Sequence, residues 1–161
     1  NYWTDGTKEH YVMPLGVKLF RQRWYLVGRS WGNGYDTIYS LDRIKGFRIS
    51  SHTFEYPEDF DPKTFFGDCF GVIVGDGSEC EHVKLKLSAS QANYLRDLPM
   101  HDTQKEIERN EKYSIFQLDV KTTYDLMQEV LKNNVEMEVL EPIWFRKQIA
   151  GIIKDIAEKY K

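Results

Sequence analysis

Apolar and polar residues recur with two different periods along this chain, and the change of period divides it. In residues 11–20 the apolar side chains Val12, Leu15, Val17, Leu19 and Phe20 crowd one short stretch. Polar Arg21-Gln22-Arg23 follows, and then a second apolar run, Trp24-Tyr25-Leu26-Val27-Gly28. Gly32-Asn33-Gly34 predicts a tight turn, because Gly and Asn accept positive φ at little cost. Residues 35–41 and 44–49 are expected to return as two more strands. Short strands at this spacing, joined by turn signals, predict a small barrel or a strongly bent sheet. Residues 54–70 change character: Asp61 can cap a short helix that Pro62 opens. Gly67, Gly71, Gly75 and Gly77 then break the pattern, and Gly75-Asp76-Gly77-Ser78 is the best linker or hairpin turn.

The second half mixes both periods. In residues 82–87, Val83, Leu85 and Leu87 alternate with Lys84 and Lys86, which predicts a strand. Ser88 or Ser90 can cap a helix over 91–98. Residues 105–108 and 113–120 read as paired strands around Asn110-Glu111. Thr122 or Thr123 starts a helix carrying Leu126, Met127, Val130 and Leu131 at helical spacing, and Asn133-Asn134 ends it. Residues 135–140 form a strand. Pro142 opens a last helix that puts Phe145, Ile149, Ile152, Ile153, Ile156 and Tyr160 on one stripe. Strand, helix, strand, strand, helix, strand is the order of a ferredoxin-like βαββαβ unit, here with a terminal helix. The fold class is therefore α+β, with a domain boundary expected between 78 and 79.

Length and composition narrow the classes. A chain of 161 residues, 41% hydrophobic, builds one mid-sized domain or two small ones. No apolar run is long enough for a transmembrane helix. The start, Asn1-Tyr2-Trp3-Thr4-Asp5, lacks the basic and apolar segments of a signal peptide, and the chain reads as a fragment of something longer. Cys69 and Cys80 read as reduced thiols of a cytoplasmic protein, since two cysteines make neither a zinc site nor a disulfide framework. The net charge of −3 hides a segregation: residues 8–52 hold eight Lys/Arg against three acids, and residues 53–81 hold one base against eight acids. The basic first third can hold an anion locally, or it is ordinary solvated surface.

Within Arg23–Ser30, strand alternation sends Trp24 and Leu26 to one face, expected as the core wall. Arg23, Tyr25, Val27 and Arg29 share the other. Guanidinium forks match phosphate oxygens and an aromatic ring stacks on a base, so this face suits a nucleotide. Tyr39 and Arg43, four apart, are expected to join it. The alternative is that Tyr25 and Tyr39 are core residues while the arginines reach out to water.

Trp24-Tyr25-Leu26, preceded by Val12-Met13-Pro14-Leu15 and followed by Tyr39-Ser40-Leu41-Asp42-Arg43-Ile44, resembles the WYL domain of bacterial transcriptional regulators. Phe54 and the stretch 57–60 extend the match. Residues 79–161 resemble the C-terminal extension of that family, including Leu98-Pro99-Met100-His101-Asp102-Thr103-Gln104. The resemblance implies an Sm-like, SH3-type small β-barrel over 1–78, then the extension over 79–161, with the family's DNA-binding winged helix absent from this chain. It implies a ligand-sensing regulatory module, not an enzyme, that binds a nucleic-acid or nucleotide-like anionic effector and works as a homodimer on DNA. Carried over by position, Tyr25 and Arg43 are the first candidates, with Arg23, Arg29 and Tyr39 beside them. His10 stands where a basic residue often precedes the Pro-containing strand. The family often has an arginine where this chain has Thr37, which removes one bidentate phosphate contact. A purely structural module that dimerises and positions the winged helix is the alternative.

Other chemistry finds little support. His10, His52, His82 and His101 form no HxxxH or HExxH pair. His101, with Asp102 and Gln104, reads as a loop histidine after Pro99. Ser78, Ser88 and Ser90 lack a nucleophile-elbow context. Gly71-Val72-Ile73-Val74-Gly75-Asp76-Gly77 lacks the Lys-Ser/Thr of a phosphate loop. Glu55, Glu58, Asp59 and Asp61 do not follow calcium-loop spacing and read as a solvated acidic face. Trp144-Phe145 reads as core or dimer contact. No metal and no cofactor is expected.

Overall fold

Residues 8–75 and 77–161 are described by the computed structural model. The expectations placed on residues 1–5 and on Asp76 of the glycine-rich turn lie outside the described residues. The chain divides into two units, Asn1–Phe65 and Phe66–Lys161, each with its own antiparallel sheet.

In the first unit, β1 (Val12–Phe20), β2 (Arg23–Ser30) and β3 (Asp36–Ser40) pair in that order. The polar break Arg21-Gln22 is a two-residue hairpin loop: Phe20 pairs with Arg23, and the loop residues have φ of 48° and 64°. Two positive φ values match the right-handed twist of the flanking strands, a geometry that usually selects Asn-Gly. Pro14 is tolerated because β1 is an edge strand and the ladder skips Leu15 between Pro14 and Gly16. The Leu15 carbonyl accepts a hydrogen bond from the Tyr56 hydroxyl at 2.8 Å.

The fourth expected strand, 44–49, is not formed. A single 3₁₀ turn, Leu41–Arg43, follows β3, and residues 44–50 have no strand assignment. Gly46 sits at φ 86°, outside the extended region, and Phe47 and Ile49 are 88% and 93% exposed. An alternating apolar pattern makes a strand only where an adjacent edge accepts its hydrogen bonds. The described residues of this unit therefore form an open three-stranded sheet, not a closed barrel. Its buried hydrophobic residues are Leu15, Val27 and Phe60. Asp61 does cap the short helix α1 (Pro62–Phe65), accepting from the Lys63 and Thr64 amides.

The second unit contains β4 (Cys80–Ser88), α2 (Ala89–Asp97), β5 (Lys105–Arg109), β6 (Tyr113–Lys121), α3 (Tyr124–Lys132), β7 (Met137–Glu141) and α4 (Ile143–Glu158). Its sheet order, β5-β6-β4-β7 with antiparallel pairing throughout, is that of the βαββαβ unit read from the sequence. Alternation decides the core. Val83, Leu85 and Leu87 of β4 and Phe116, Leu118 and Val120 of β6 are at most 1% exposed. Leu85 pairs with Phe116 on one side and Val139 on the other, so one row of the sheet is apolar across three strands. Ala92 and Leu95 of α2, Leu126 and Val130 of α3, and Phe145 and Ile149 of α4 complete the same cluster. Each large side chain so buried contributes about 1.5–3 kcal/mol.

The element ends differ in detail from the periodicity. Ser88 is the α2 cap, its hydroxyl accepting from the Gln91 amide at 3.3 Å. Thr123 precedes α3 but makes no side-chain cap bond. Residues Asn134–Glu136 form a 3₁₀ turn, so β7 starts two residues late and leaves Val135 91% exposed. The α4 stripe splits: Phe145 and Ile149 are buried, but Ile153, Ile156 and Tyr160 are exposed. Cys69 and Cys80 both pair with Lys121, Cys69 through an isolated bridge and Cys80 in the β4–β6 ladder. Sitting on opposite sides of one strand puts them about 10 Å apart, beyond the ~7 Å reach of a disulfide. Neither cysteine is in a disulfide.

Residues 66–75 belong to the second unit through the N-terminal turn of α3. The buried carboxylate of Asp125 accepts from the amides of Val72 (2.9 Å) and Ile73 (3.2 Å). Gly71 makes this approach possible: its φ is 99°, and a Cβ there would lie 2.4 Å from Asp125 Oδ2. The run rejected as a phosphate loop thus turns two amides toward an anion, but the anion is the protein's own carboxylate.

Three expectations follow. Gly71→Ala should lower stability by about 2 kcal/mol or more, through backbone strain and steric overlap; an unchanged urea midpoint would contradict the close approach. Gln22→Gly should raise stability by about 1 kcal/mol by removing left-handed strain, seen as a higher melting temperature. The Arg96 guanidinium, 2.6 Å from Glu106, holds that carboxyl at about 2, below its ordinary 4.5. A depressed folded value stabilises above the unfolded one, so this contribution is full above about 4.5 and is lost as pH falls toward 2. The stability gap between wild type and Glu106→Gln should therefore close over that window, as measured by urea unfolding at stepped pH.

Candidate ligand-binding site

β2 carries three of the six candidate residues, and the strand register decides what each one meets. Directly opposed residues of an antiparallel pair share a face. Tyr25 is opposite Ser40 of β3 and Lys18 of β1, and Arg29 is opposite Asp36 and Met13. The covered face is the one expected to be open. Val27, between Tyr25 and Arg29, is 2% exposed, whereas Trp24 of the expected core wall is 50% exposed. At the Arg29 end, residues beyond β3 return to this face, with Asp59 reaching the Arg29 guanidinium. Alternation assigns residues to two faces but does not say which one later residues will cover.

The six candidates fall into three places. Arg23 and Tyr25 share the covered face of β2, and Arg43 lies in the turn after Ser40, the residue opposite Tyr25. Arg23 lies 3.2 Å from Asp42, with both side chains about half exposed. Asp42 also accepts a hydrogen bond from the Ser40 hydroxyl. That bond, helped by the charges of Arg23 and Arg43, holds the Asp42 carboxyl below its ordinary value. Arg43 closes the 3₁₀ turn, and Tyr25 is half-buried on β2. Arg23 pairs with Asp42, and the charge of Arg43 also acts on that carboxylate.

Arg29 stands alone at the other end of the strand, gripped by two carboxylates. Its Nε and Nη2 donate to Asp36 at 2.8 and 3.1 Å, and Nη1 and Nη2 donate to Asp59 at 3.0 and 3.2 Å. These bonds, Asp36's first, push the guanidinium further above its ordinary value, so it is a fixed cation. The same fork holds the Asp59 carboxyl down. A cavity of about 270 Å³ opens beside the group, walled by Phe60 and Phe65 and edged by Asp61 and Thr64.

Tyr39 and His10 form the third place. Tyr39 is opposite Leu26, so it lies on the other face from Tyr25, against the expectation that the two share a side. The register is the reason: Ser40, not Tyr39, pairs with Tyr25. The His10 ring lies 5.8 Å from the Tyr39 ring, tilted by 58°. Thr37, where the family often has arginine, is exposed opposite Gly28.

Sequence reasoning missed the carboxylates. Asp36 was legible in principle, because pairing across the Gly32–Gly34 turn sets it opposite Arg29. Asp59 lies 30 residues from Arg29 with no pattern linking them. Among the described residues, no group of three or more His, Cys, Asp and Glu could hold a metal ion, and no helix is long and apolar enough to cross a membrane.

With this geometry in view, two family models match the chain. The WYL domain covers residues 1–49 and the WCX domain covers residues 79–157. No curated protein matches. Among solved structures, the chain is similar to proteasome accessory factor B/C (PafBC) of Arthrobacter aurescens, with 18% identity over 89% of this chain and a TM-score of 0.35. The chain spans 22% of the length of that one. The aromatic-basic strand lies inside the WYL match and the βαββαβ unit inside the WCX match, and the chain belongs to the WYL-domain family.

Proposed function

We propose that this chain is the ligand-sensing region of a bacterial, cytoplasmic transcriptional regulator, a binding module without catalytic activity. The sensing domain is assigned to residues 1–78, of the Sm-like, SH3-type kind but with its described sheet open, and the extension to residues 79–161, on whose α3 the segment 66–75 is held through Asp125. The observation that carries the reading lies within the WYL match: half-buried Tyr25 shares its strand face with Arg23, and the charges of Arg23 and Arg43 both act on Asp42. Guanidinium groups on the same strand and turn as an aromatic ring suit a nucleic-acid or nucleotide-like effector. DNA is bound by a winged-helix domain outside this chain, and a homodimer reads paired half-sites. The effector acts by binding one arrangement of that dimer better than another.

A second reading rests on the ion pairs. Arg23 with Asp42, and Arg29 with Asp36 and Asp59, are satisfied within the protein, as in a structural module that only dimerises and positions the DNA-binding domain. Fluorescence anisotropy separates the two. A labelled single-stranded oligonucleotide is titrated with the whole chain at two salt concentrations. The sensor reading expects binding that weakens with salt, and Arg43→Ala should weaken it about tenfold, the worth of one charge-assisted contact, with an unchanged melting curve. No binding by the folded chain at low salt would leave the structural module as the function.

A further inference from the structure

The two carboxylates on Arg29 are not equivalent. Asp36 lies on β3 directly opposite Arg29, and its side chain is 20% exposed. Asp59 lies after β3 and before α1, and its side chain is 72% exposed. Exposed ion pairs contribute little, because water and salt compete for both partners. The inner fork is therefore a fixed holder and the outer fork is easily exchanged. Arg29 itself is 18% exposed and already aimed, so a replacement anion meets a pre-organised donor pair.

The surroundings say what could replace Asp59. Two adjacent guanidinium N–H groups match any oxyanion with two free oxygens. The cavity beside them has two aromatic walls, Phe60 and Phe65, with ring centroids 5.4 Å apart. The remaining acid, Asp61, is engaged with α1: it accepts from the Lys63 and Thr64 amides and from the Thr64 hydroxyl. Arg29 also shares its strand face with Tyr25. Four residues of extended chain separate them, about 13 Å.

We propose that the outer fork of Arg29 is an exchangeable oxyanion site, in which a phosphate group of the effector displaces the Asp59 carboxylate while Asp36 keeps the guanidinium aimed. Asp59 then acts as a built-in competitor, and its release removes one tie between the sheet and the residues just before α1, while the Tyr56 hydroxyl keeps its bond to Leu15. This rests on the sensor reading above and adds to it a second contact point and a regulatory contact.

The test follows the Arg29 side-chain Nε–H signal by NMR in the whole chain while inorganic pyrophosphate is added. Asp59→Asn should shift the midpoint to about fivefold lower concentration. Asp61→Asn removes the same charge from the cavity, touches no Arg29 bond and keeps a helix cap; its midpoint should stay within about twofold of wild type, as charge screening alone allows. Arg29→Lys, which keeps the charge but cannot fork, should lose the tightening that Asp59→Asn produces when the two are combined. Equal midpoints for wild type and Asp59→Asn, or an equal gain from Asp61→Asn, would overturn the proposal. A parallel titration with the labelled single-stranded oligonucleotide identifies the source of the phosphate. Tighter oligonucleotide binding by Asp59→Asn supports a phosphodiester. A pyrophosphate response without oligonucleotide binding keeps the site, assigns it to small phosphates and removes the nucleic-acid reading. Oligonucleotide binding that needs Arg43, with no effect of Asp59→Asn in either titration, keeps the sensor reading and removes this one.

Discussion

A β-strand can bury only every second side chain, and the second unit is built on that limit. β4 and β6 lie at the centre of its sheet and alternate without interruption, Val83, Leu85 and Leu87 against Leu118, Phe116 and Ser114. Because the side-chain period is two, a slip of one residue would carry the whole apolar set to the other face. The register is therefore held by burial itself. The helices contribute residues to the face so formed, Ala92 and Leu95, Leu126 and Val130, Phe145 and Ile149. Even the glycine-rich connection is secured to this unit, through Asp125 in the first turn of α3.

The first unit is held by different means. Its described residues bury only Leu15, Val27 and Phe60 among the hydrophobics, and polar contacts supply much of the specificity. The Tyr56 hydroxyl takes the carbonyl left open by the bulge at Leu15. Arg29 ties β2 to β3 and to Asp59 in one charge-assisted group. A guanidinium drawn against the sheet needs such partners, since it gives up water that would otherwise solvate its charge. A unit held largely by exchangeable polar contacts is also one that a charged ligand can rearrange. The sensing role proposed for the first unit draws on that contrast with the apolar core of the second.

Charge segregation along the sequence also changes meaning in three dimensions. The acids of residues 53–81 read as a separate solvated block, yet Asp59 comes back to neutralise an arginine of the basic block. Asp42 does the same for Arg23 from within that block. What remains for a ligand is not the surplus counted along the chain but the local imbalance at each place. At Arg29 it is set by the outer fork, where Asp59 is the exposed partner, because the enclosed Asp36 keeps the inner one.

The sequence by itself determined the second unit closely. Alternation in β4, the helical spacing in α3, a serine cap before α2 and Pro142 before α4 are local signals, and the strand order follows from their succession. It also determined the family, through Trp24-Tyr25-Leu26 and the segment 39–44. Only the tertiary structure decided the rest. It left residues 44–49 out of the sheet, put Tyr39 on the face away from Tyr25, and covered the face of Val27 and Arg29 instead of that of Trp24. It also brought Asp59 to Arg29 across 30 residues. Periodicity is a property of neighbours along the chain, whereas burial and ion pairing depend on which distant segment returns to a surface, and no local pattern encodes that return.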